Sequence, residues 1–89
     1  EQEYGQIMSH IKTDSMNGNF NRLDKDIEQF VKFAIQNPDM EVDPDSIFTA
    51  IENAEVARAE AINGVVVSNE KLRARAHYLL DVLEKKTPR

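Results

Sequence analysis

The stretch Glu41–Glu52, EVDPDSIFTAIE, carries acidic residues at alternate positions 41, 43 and 45 and closes on a glutamate. It admits two readings with opposite consequences for the fold. As a calcium loop, it offers Glu41, Asp43 and Asp45 at positions 1, 3 and 5 and Glu52 at position 12. As a helix start, it offers Asp43 as N-cap, Pro44 at the first helical position and Asp45 against the positive end of the helix dipole. Val42 and Ile47 then flank the cap as a hydrophobic staple. The calcium template requires glycine at its sixth position, where this chain has Ser46, and normally aspartate at its first, where it has Glu41. A ligand cage and a helix start cannot share Asp45–Ala50. The stretch is therefore the capped beginning of a helix, and no metal or other cofactor is expected.

Outward from this point the same rhythm recurs. Apolar residues spaced by three and four form stripes at Tyr4, Met8 and Ile11, at Leu23, Ile27, Phe30 and Ala34, and at Leu72, Ala76, Leu79 and Leu83. The helix opened by Pro44 carries Ile47, Ala50, Ala54, Ala57 and Ala61. No block shows the period of two that a strand requires. Asn37-Pro38 ends the second block, since a residue before proline is pushed out of the α region. Asn19 and Asn21 both suit its N-cap. Gly64 stands where a left-handed helix terminus is wanted, and Ser68 is expected to cap the last helix with Val67 stapled to Leu72.

These signals predict helices over about 2–13, 21–36, 44–62 and 69–86 within a single domain, 1–89. Short connections make successive helices antiparallel neighbours. The expectation is an all-α fold, a small antiparallel up-down-up-down bundle of about four helices. A second arrangement keeps three helices in the core and packs the first on another chain.

Composition bounds the chemistry. The 89 residues contain no cysteine, which excludes disulfides and thiol chemistry and suits a reducing, cytoplasmic compartment. No apolar run approaches the length of a membrane span, so no membrane partner is expected. The chain opens on Glu1, as a trimmed product or a fragment would. Its net charge of −5 divides into −8 over residues 1–60 and +3 over 61–89.

Catalytic groups are sparse. No serine sits in a nucleophile elbow, the three glycines stand apart, and no Glu-x-x-His pair is present. His10 with Asp14 and His77 with Asp81 stand four residues apart, two ligands at most where a specific site takes three or four. They read as surface helix pairs, and no enzyme is expected.

Three features exceed a plain bundle. Arg58 falls on the wheel among Ile47, Ile51, Ala54 and Ile62, so it either reaches past its alanine neighbours to water or meets an acidic group on another chain. Val66, in Gly64-Val65-Val66-Val67-Ser68, has no capping role and either closes the bundle end or offers a docking point. Lys71, Arg75, Tyr78 and Val82 share one side of the last helix, along with Lys85 and Lys86. The reading that unites them is a regulator, adaptor or chaperone-like module binding another protein. The surface expected for it comprises Ala50, Ala54, Ala57, Arg58, Ala61, Val66, Lys71, Arg75, Tyr78 and Val82. A homodimer joined along the alanine seam is its simplest form. The alternative is a DNA-associated transcriptional regulator using the basic last helix, a nucleic-acid role opposed by the acidic remainder of the chain.

Overall fold

A computed structural model describes residues 2–86, the side chain of Gln2 excepted. Four helices follow one another: α1 (Gln2–Met16), α2 (Phe20–Gln36), α3 (Pro44–Ala61) and α4 (Glu70–Lys86). Among the described residues there is no strand.

The helix ends show why the chain breaks where it does. Asp43 caps α3, its Oδ1 accepting from the Asp45 N–H at 3.0 Å, and the Ser46 hydroxyl donates to the Asp43 carbonyl at 2.7 Å. Most of the would-be calcium loop is thus helix. Asn19 caps α2 by accepting from the Arg22 N–H, which settles the choice between Asn19 and Asn21.

Two helices close in the same way. At the end of α1 the N–H groups of Gly18 and Asn19 donate to Ser15 and Asp14, with Gly18 at φ +66°. At the end of α3 those of Asn63 and Gly64 donate to Glu60 and Ala59, with Asn63 at φ +55°. Both are Schellman closures around a left-handed residue. The left-handed residue after α3 is thus Asn63 and not Gly64. The α1 closure also carries that helix three residues past its expected end, to Met16.

The cap of α4 differs from expectation as well. Asn69, not Ser68, accepts from the Leu72 N–H at 3.0 Å, and Val67 is exposed instead of stapled. Asparagine is as good a cap as serine, and here it stands one residue nearer the first turn.

The stripes meet in one core built from all four helices, including Ile7 and Ile11 of α1, Leu23 and Phe30 of α2, Ile51 and Ala54 of α3, and Ala76 and Leu83 of α4. Because α1 buries its face on this chain's own α2 and α3, the arrangement with α1 on another chain is excluded. Chain directions alternate. Tyr4 meets Phe30 and Phe33 with ring centroids 6.5 and 6.3 Å apart, so α1 and α2 are antiparallel. Phe48 near the start of α3 meets the His77 ring of α4 at 4.6 Å, while Glu55 reaches back to Asn69 and Arg73.

Neighbour relations are not those of simple succession. α2 packs chiefly on α1 and α4, α3 on α1 and α4, and α2 with α3 forms a weakly touching diagonal. The connection 37–43 can extend about 25 Å, ample for crossing a bundle whose axes lie about 8–10 Å apart. Short loops set the alternation of direction. The fit of the buried faces sets which helices lie side by side.

Candidate functional site

One end of the bundle gathers the α1–α2 turn, the last turn of α3, the 62–69 connection and the first turns of α4. Gly18 is essential to this meeting. A Cβ there would stand 3.1 Å from the Arg58 backbone nitrogen and 3.3 Å from the Ala54 carbonyl oxygen, and its positive φ already disfavours a side chain. The turn therefore lies directly on the α3 backbone.

The connection is tied down at its two ends, by the α3 closure at Asn63 and Gly64 and by Glu55 at Asn69. Glu55, 3% exposed, accepts from the Asn69 N–H at 2.7 Å and from Arg73 Nε at 2.8 Å with Oε2, and from Arg73 Nη2 at 2.6 Å with Oε1. This bidentate pair couples α3 to the first turn of α4. The Arg73 guanidinium, helped by the Asn69 N–H, holds the Glu55 carboxyl below its ordinary range against the upward push of burial.

Between Ile62 and Asn69 the chain presents apolar side chains to solvent. Exposure is 68% at Ile62, 84% at Val65, 50% at Val66 and 73% at Val67. Among the described residues, the main chain from Val65 to Ser68 makes no hydrogen bond. A cleft of about 420 Å³ lies alongside, lined by Phe20, Arg58, Ala59, Ile62, Val65 and Val67 with others. A second, of about 620 Å³, runs from Phe20 and Asp24 to Lys71, Arg75 and Tyr78. Phe20 belongs to both.

The surface expected from the sequence is only partly assembled here. Ala50 and Ala54 are buried in the chain's own core, and Ala54 has no exposed surface at all. They are core residues, and this half of the alanine seam offers no surface to another chain. Ala57 is half-buried and Ala61 exposed. Arg58 is exposed as well: the buried face of α3 runs through Ala54, Glu55 and Ala59, which leaves Arg58 and Ile62 outside it. The charge on the apolar face of α3 is Glu55.

Val66 is exposed with its two neighbours, and the staple expected of Val67 is not made. Lys71, Arg75 and Tyr78 do come together, while Val82 is half-buried farther along α4. Arg75 is held by Asp24 at 3.5 Å and Glu28 at 3.4 Å of α2, with its Cζ 6.0 Å from the centre of the Tyr78 ring. Lys85 pairs with Asp81 at 3.1 Å. Much of the basic character of α4 is therefore answered by carboxylates.

The histidine pairs also resolve differently. His77 stacks beside Phe48, and its expected partner Asp81 pairs with Lys85. Asp14 turns inward and is buried, away from exposed His10. Among the described residues no group of three or more histidine, cysteine or carboxylate side chains is placed to hold a metal. No described helix is long and apolar enough to cross a membrane.

Glu55, Arg73, Phe20 and Asp26 were not singled out from the sequence, and Asp14, read there as a surface residue, is buried. Glu55 lies four residues after Ile51, Asp14 three after Ile11, and Asp26 three after Leu23. An acidic residue at core spacing was the available signal. Comparison with protein-family models, curated proteins and solved structures finds no match to this four-helix chain.

Proposed function

We propose that this chain is a non-enzymatic, cytoplasmic protein–protein interaction module that docks through the valine-bearing end of the bundle. The observation that carries the reading is the exposure of Ile62, Val65, Val66 and Val67 on a connection whose described backbone from Val65 to Ser68 is unpaired. Branched aliphatic residues on open, irregular chain suit pairing with another extended segment. The simplest partner with a matching segment is a second copy, related by a two-fold axis near Val66.

The energetics point to a transient contact. Burying each of these side chains is worth roughly 1.5–3 kcal/mol, and association costs about 4–15 kcal/mol. Arg58, exposed beside the apolar cleft, supplies a charge that can orient an acidic group on the partner. A DNA-associated role has less support, because Arg73, Arg75 and Lys85 are engaged by carboxylates of the same chain.

Solution mass across a concentration series tests the reading. The wild type should self-associate weakly, and Val66→Lys should stay monomeric with an unchanged melting temperature. A wild type that is monomeric at millimolar concentration rules out the second copy. Any partner protein that binds wild type and Val66→Lys equally well rules out this surface.

A further inference from the structure

We propose that Asp14 of α1 and Asp26 of α2 share a single proton across the helix contact, and that losing it on alkalinisation weakens the docking of α1 on the bundle. Both carboxyls are buried, with Asp14 8% and Asp26 9% exposed. Oδ2 of Asp26 is buried without a hydrogen-bond partner. Across the packed α1–α2 contact, Asp14 acts on the Asp26 carboxyl by hydrogen bonding and by charge. Two carboxylates cannot bond to each other, because neither has a donor; one of the pair must be protonated for the contact to hold. Two buried negative charges side by side would repel without solvent screening.

The surrounding charges do not relieve the pair. The groups acting on Asp26 are Asp14 from α1 and Arg22 from its own helix, and Arg22 is exposed and the weaker influence. Arg75 of α4 is engaged by Asp24 and Glu28, and Glu55 of α3 is engaged by Arg73. Asp26 lies four and seven residues before Phe30 and Phe33, which meet Tyr4, so it belongs to the side of α2 that receives α1. Burial first, then the hydrogen bond and charge of Asp14, push the Asp26 carboxyl from 3.8 to about 7.

The direction of the effect follows. Between about pH 4 and 7 the folded chain holds a proton that the unfolded chain has released. The stabilisation is complete below about pH 4 and is lost as pH rises through about 7. The folding constant should fall by up to about tenfold per pH unit within that window. Since α1 contributes one carboxyl and carries Ile7 and Ile11 into the core, its amides should lose protection first.

Denaturant unfolding and hydrogen-exchange protection factors from pH 5 to 8 test the proposal on wild type, Asp26→Asn and His10→Gln. The wild type and His10→Gln should lose stability with rising pH. Asp26→Asn, whose amide can donate to Asp14 without a proton from solvent, should be flat and more stable than wild type at pH 8. A flat wild-type profile, or an unchanged slope in Asp26→Asn, overturns the proposal; so does a slope removed by His10→Gln. Carboxyl-carbon titration by NMR of the wild type keeps it decidable if a variant fails to fold. One carboxyl titrating near pH 7 is expected, and all carboxyls titrating below pH 5 overturns it.

Discussion

Glu55 is the residue on which the α3–α4 contact turns. Its carboxylate serves a guanidinium and the Asn69 N–H beside a helix N-terminus, all places where negative charge is favoured. Glu55→Gln would leave Arg73 without its counter-charge. Because Arg73 is 31% exposed at the side chain and can recover water, the expected loss is about 2 kcal/mol, below the 3–5 kcal/mol typical of a fully buried broken pair. Chemical denaturation at pH 7 measures it. The native pair holds the Glu55 carboxyl low, so its stabilisation is present above about pH 4.5 and lost as pH falls below that value. The variant should lack this acid arm. A Glu55→Gln protein as stable as wild type, with the same acid limb, would show that the pair contributes nothing net.

At the scale of the element, the ends of the helices carry more information than their middles. The four apolar stripes state only that helices exist, whereas Asp43-Pro44, Asn19 and Asn69 state where they begin. Asn69→Ala should cost about 1 kcal/mol, as loss of an N-cap usually does. Ser68→Ala should change stability by no more than a few tenths, because the Ser68 hydroxyl takes no part in the cap. Equal losses in the two variants, measured by thermal unfolding, would move the cap back to Ser68. The Schellman closures at Gly18 and Asn63 act on a larger scale: one folds the α1–α2 turn onto α3, the other aims the valine connection away from the core.

For the whole molecule, the α1–α2 turn lies directly on the backbone of α3 at Ala54 and Arg58. Ala54 has no exposed surface, and its carbonyl supports the Gly18 turn. Ala54→Glu should therefore unfold the protein, by several kcal/mol for a buried unpaired charge. Circular dichroism reads the outcome. Soluble, fully helical Ala54→Glu protein would mean that this face is open to another chain after all.

Helix number, helix type and the alternation of direction were determined by the sequence itself, because stripe spacing, caps and short loops act between residues a few positions apart. The same local logic separated the Asp43 cap from a calcium loop. Only the tertiary structure decided that α2 and α3 lie on a diagonal, that Ala54 faces inward while Arg58 faces out, and that Glu55 meets Arg73 eighteen residues away. It likewise decided that Asp14 and Asp26 are both buried. A helical wheel gives each stripe an angle but no partner. Which degrees of that angle are buried depends on how the other three helices crowd around it, and that is a property of the assembled core.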